Sequence, residues 1–185
     1  MFWNQSSDRS KSQTEQLALR LQKAGFNTQY RPASPDDSVE SVIVALPSDQ
    51  QQFAPFIKLS FASSAYQAMK RMGDPDLQSD QSIFGDFDHL QFYIPLQVDL
   101  RPSTIQEVAL VNEKLNANLP LIGFNLEQFQ ATKLTFRYLM LIEQGKVNLK
   151  LVQRAINLIH FLIGEYAPTV AAIANGQKTV ADLEF

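Results

Sequence analysis

Between Ile105 and Gly176 the chain carries the pattern of a helix, two strands and a long apolar helix, with almost no connecting sequence between them. Short connections make consecutive elements neighbours in space, so these four must pack on one another. Asn148 is placed to cap the last helix, which runs to Asn175 before Gly176 ends it, a span of roughly 40 Å at about 1.5 Å per residue. Pro168 inside it is expected to kink the helix against the carbonyl of Gly164. On a helical wheel Leu151, Ala155, Leu158 and Leu162 form one stripe, and Val152, Ile156, Ile159 and Ile163 a second beside it. Tyr166, Val170 and Ile173 continue the arc beyond the proline. The two stripes together span about 160°, against the ~100° that packing on one sheet requires. Another helix, a second copy of the chain or a partner must cover the surplus.

The elements before that helix supply its packing surface. Thr104-Ile105-Gln106-Glu107 has the spacing of a capping box, and Ile105, Val108, Ala109, Asn112 and Leu115 line one helical face up to about Asn118. Ile122, Phe124 and Leu126 then alternate with Gly123 and Asn125, and a longer strand follows to Ile142. That strand has Phe136, Tyr138, Met140 and Ile142 on one face and Thr135, Arg137, Leu139 and Leu141 on the other. The second face turns apolar at its end, so something is expected to cover it.

The first half of the chain reads less evenly. Residues 1–11 form a polar tail, and residues 12–185 read as one domain with an inserted acidic loop at 65–88. Ser12-Gln13-Thr14-Glu15 is a capping pattern before a helix with Leu17, Ala18, Leu21 and Ala24 at helical spacing, stopped by Gly25. Strands are expected around Phe26–Tyr30, Val39–Leu46 and Phe56–Phe61. The loop holds Asp74, Asp76, Asp80, Asp86 and Asp88, with room for one short helix around Tyr66–Met72. From Leu90 to Leu100 apolar and polar residues alternate, and Pro95, which has no N–H to donate, places that strand at a sheet edge or a bulge.

Composition limits the chemistry. The chain has 185 residues and a net charge of -3, with no cysteine. That excludes thiol catalysis and disulfides and gives no electrostatic footprint for nucleic acid. No apolar leader and no membrane-length apolar run stand out, so a soluble cytoplasmic protein with no membrane partner is expected. His89 and His160 are the only histidines, the first on the wet side of a strand start and the second at the margin of the apolar arc. No nucleophile elbow, phosphate loop, dinucleotide fingerprint or paired-histidine zinc motif is present. The aspartates lack the calcium-loop spacing, and a solvated loop is favoured over a weak divalent-cation site. Neither cofactor nor metal is expected. Arg137 reads as a surface ion pair, with the anchoring of a partner carboxylate as the other use.

The order helix, strands, helix, two strands, helix resembles the type III secretion chaperone fold, and more closely the YbjN-like bacterial proteins that share it. The residues carrying the resemblance are Val111-Asn112-Glu113, Leu115, the Gly123-Phe124 pair, Leu134–Met140 and Glu165-Tyr166-Ala167-Pro168. The resemblance implies an α+β protein, an antiparallel sheet with helices packed on one face, homodimeric, that holds partner segments rather than turning over a substrate. The residues for such a contact are Arg137, Leu139, Leu141, Leu151, Leu158 and Leu162, with a sheet edge as a further site. The alternatives are a hydrolase or transferase using His89 or His160, and a small-ligand sensor with an enclosed cavity between sheet and last helix.

Overall fold

Six segments of alternating apolar residues build a single antiparallel sheet, described in a computed structural model over residues 11–35, 37–71, 87–119, 122–127, 132–143 and 146–183. Helix α1 (Gln13–Lys23) leads into β1 (Thr28–Arg31), β2 (Ser41–Ala45) and β3 (Phe56–Phe61), and α2 (Ala62–Arg71) follows β3 directly. Then come β4 (Phe87–Pro95), α3 (Ile105–Ala117), β5 (Ile122–Glu127), β6 (Lys133–Glu143) and α4 (Leu149–Ala174). The strand order is β1-β2-β3-β4-β6-β5, with every neighbouring pair antiparallel.

One face of this sheet meets α1, α3 and α4. Val42, Leu59, Phe92, Phe136 and Phe124 point inward from the strands, and Leu21, Val111, Ile156 and Ile159 meet them in one continuous core. Phe124 and Phe136 meet edge-on, with ring centroids 4.9 Å apart. The inner and outer residues of β6 fall as the alternation predicts, except that Thr135 on the outer side is itself buried. The small helix α2 lies elsewhere: its Ala65 borders a shallow hollow with Val39, Lys58, Ser60, Gln91 and Tyr93 on the other face.

Capping chemistry explains most helix ends. Ser12 accepts from the Glu15 amide, and Asn148 accepts from the Lys150 and Leu151 amides, both as the sequence predicts. Gly25 and Gly176, each just past a helix, take positive φ of 92° and 74°. Thr104 departs from its expected role. Its hydroxyl donates to the carbonyls of Arg101 and Ala174, so it ties the start of α3 to the end of α4 instead of capping. The helix α4 continues through Pro168 to Ala174 without interruption.

The short helix expected around Tyr66–Met72 is α2, and β4 begins at Phe87; residues 72–86, with Asp74, Asp76, Asp80 and Asp86, lie outside the described part. Two expectations need correction. Asp88 is no solvated loop residue. It is 4% exposed and holds the start of α2, accepting from the Ser63 amide at 3.0 Å and from the Ser63 hydroxyl. The strand expected at a sheet edge is interior, between β3 and β6. Pro95 is tolerated there because the ladder with β3 ends at Tyr93, so its missing N–H leaves no β3 carbonyl of that ladder without a donor.

The true edges are β1 and β5, and β5 is partly closed. The Asn116 side chain, from the end of α3, donates to the Phe124 carbonyl and accepts from the Phe124 amide, both at 2.8 Å, in the manner of a neighbouring strand. A Cβ on Gly123 would stand 2.8 Å from Asn116 Oδ1, so glycine there makes room for the arrangement. Asn116→Ala should lower stability by about 1 to 3 kcal/mol in urea unfolding, because it strands two backbone groups. Phe136→Ala should lower it by about 3 to 5 kcal/mol. A loss below about 1 kcal/mol for Phe136→Ala would contradict its place in the core.

Candidate partner-binding surfaces

The outer face of the sheet can be read row by row from the register. Lys58, Tyr93, Arg137 and Gly123 lie across four strands, and Ser60, Gln91 and Leu139 form the next row. His89 then pairs with Leu141, and Phe87 with Glu143. Within this ladder Phe87, Leu139 and Leu141 are 51%, 53% and 60% exposed. Three large apolar side chains on two adjoining central strands make a patch that water covers poorly.

Arg137 is engaged inside the molecule. Its guanidinium pairs with Glu127 and lies 5.4 Å from the centroid of the Tyr93 ring, and Thr135 donates to the same carboxylate at 3.0 Å. This is the surface ion pair read from the sequence, and an incoming carboxylate would meet a cation already paired. Burial, with Glu127 reinforcing it and Arg137 opposing, holds the Tyr93 phenol above the usual tyrosine value.

A second surface lies on α4, on the side turned away from the sheet. Leu151 and Leu158 are 48% and 45% exposed, and Phe161, which the stripes on the wheel passed over, is 61% exposed. Leu162 is 4% exposed and belongs to the core, so it is not available to a partner. The wide arc accounts for this: Leu162 falls where neighbouring structure covers it, while Leu151 and Leu158 fall just beyond. The sequence-predicted contact residues thus divide between two opposite sides and the core.

The two histidines also separate. His89 stands on the outer sheet face, opposite Leu141. His160 is half-buried on α4; its carbonyl accepts from the Gln50 side chain at 2.9 Å, while its Nε2 and the Gln50 Oε1 have no partner among the described residues. Gly164 permits this approach, since a Cβ there would stand 3.1 Å from Gln50 Nε2. Neither histidine lines either of the two hollows described on the surface. Among the described residues no three histidine, aspartate or glutamate side chains come together as metal ligands would.

No family model matches the chain, and no curated protein matches it. Among solved structures it is similar to YbjN from E. coli, a proposed transcription regulator, at 11% identity, with 87% of this chain and 91% of that chain covered and a TM-score of 0.46.

Burial holds His160 below the usual histidine value, with nearby Asp49 opposing. The unfolded chain therefore takes up this proton more readily than the folded one. Stability is complete above the unfolded value of about 6.5 and falls as the pH drops from there toward the lowered folded value. The melting temperature should fall more between pH 7.5 and pH 5 for the wild type than for His160→Gln. Equal pH dependence of the two would contradict the burial of this imidazole.

Proposed function

We propose that this chain is a non-catalytic protein-binding module, of the chaperone or regulator kind, which holds a partner against the outer face of its sheet. The observation that carries the reading is the patch of Phe87, Leu139 and Leu141, about half exposed on two interior strands. An open sheet face normally carries polar residues, and burying these three would yield roughly 25 cal/mol per Å² of apolar surface. At this patch β4 and β6 pair with each other, while the ladder to β3 covers only Leu90–Tyr93 of β4 and the ladder to β5 only Lys133–Tyr138 of β6. Addition of a partner strand at β5 would have to displace Asn116 from Phe124. The partner is a cytoplasmic protein, a second copy of the chain included.

Leu139→Asp combined with Leu141→Asp places two carboxylates at exposed positions and should leave the fold intact by circular dichroism and thermal melting. Proteins recovered with the wild type by affinity capture and mass spectrometry should be lost with this double variant. If the partner is a second copy, sedimentation should show a wild-type dimer and a monomeric variant. Recovery of the same partners at the same yield, with the same sedimentation, would refute the reading; unfolding of the variant would contradict the exposure of the patch.

A further inference from the structure

The outward side of α4 differs in chemistry from the sheet patch. Lys150 and Arg154 stand exposed among Leu151, Leu158 and Phe161 along its first four turns. Beside them the turn after α1 brings Ala24 and Phe26 against Lys150, Gln153, Arg154 and Asn157, around an open hollow of about 380 Å³. Two more cations belong to this end of the molecule. Arg20 donates to the carbonyl of Val147, just before α4, and Lys23 lies in the last turn of α1.

Three cations elsewhere on the surface are neutralised within the chain. Lys58 pairs with Asp37, Arg137 with Glu127 and Lys146 with Glu143. Among the described residues no carboxylate pairs with Arg20, Lys23, Lys150 or Arg154, although the chain as a whole carries a net charge of -3. Unneutralised cations grouped on one side of an acidic chain leave an electrostatic demand that an acidic partner meets. The hollow is lined by two cations and two side-chain amides, all able to donate to a carboxylate. The leucines and Phe161 next to it call for apolar side chains in the same ligand.

We infer that the groove between the end of α1 and the first turns of α4 docks an acidic, amphipathic protein segment. Its carboxylate enters the hollow at Lys150 and Arg154, and its apolar side chains lie along Leu151, Leu158 and Phe161. This rests on the protein-binding reading and adds the chemistry of the partner. An anionic membrane is the weaker match, because a flat surface leaves the hollow unfilled.

The test is selection of random phage-displayed peptides on the full-length protein, with affinities of the selected peptides measured by fluorescence anisotropy. Selected peptides should be rich in Asp and Glu interleaved with Leu, Phe or Trp. Their binding should weaken by at least about tenfold for Lys150→Glu with Arg154→Glu, and also for Phe161→Ser, all checked for folding by circular dichroism. Neutral or basic peptides, no selected peptide, or undiminished binding to the folded charge variant would overturn the inference. So would binding to vesicles of phosphatidylserine and phosphatidylcholine without enrichment of acidic peptides. Peptides lost with Leu139→Asp but kept by the charge variant would overturn this assignment while leaving the sheet-face reading in place.

Discussion

The ladder between β4 and β6 runs unbroken from Phe87 opposite Glu143 to Pro95 opposite Thr135, and the rest of the structure depends on its register. Because side chains alternate along a strand, a slip of β6 by one residue past β4 would turn every side chain of β6 to the opposite face. Leu134, Phe136 and Ile142 would go to water, and Arg137 would face the core. The burial of these apolar residues holds the register, and the register in turn leaves Leu139 and Leu141 outside. Core and contact patch are two sides of one pairing.

Side chains from neighbouring elements secure the sheet at its margins. Asn116 occupies the backbone of Phe124 on β5, and Asp88 at the head of β4 holds the start of α2. Gln50 reaches the carbonyl of His160 across Gly164 and so joins the β2–β3 connection to the middle of α4. Thr104 and the amide of Arg101 both reach the carbonyl of Ala174, which fixes the far end of the same helix. The long helix is therefore held at its middle and its end as well as by its apolar stripe, and its outward side is presented on a fixed frame.

Local pattern was enough for the elements whose burial repeats along the chain. The bounds of β3, the two faces of β6 and the Asn148 cap follow from period and capping chemistry alone. The failures share one cause, a partner far away in sequence. Asp88 looks like part of an acidic loop until Ser63, 25 residues earlier, is known to meet it. Thr104 has a capping pattern, yet the carbonyl of Ala174 lies within reach of its hydroxyl. Pro95 looks like an edge residue because its sequence does not show where the neighbouring strand stops. The width of the apolar arc on α4 was legible, but which margin is covered depends on the elements beside it. Hence Leu158 and Leu162, four positions apart, fall on opposite sides of the surface.

The two surfaces also differ in what they require of a partner. On the sheet face Lys58 and Arg137 are matched by Asp37 and Glu127, so the field around Leu139 and Leu141 is largely cancelled and apolar burial is left as the main attraction. On α4 the cations are unmatched, so attraction there combines apolar burial with charge and weakens as salt screens it. The packed core lies between them, and a ligand on one side does not obstruct the other. A single extended segment cannot reach both without passing around the sheet, so the geometry favours two separate contacts. On the two proposals above, the chain would join an acidic segment on its helical side to an apolar one on its sheet side, with neither contact needing a catalytic group.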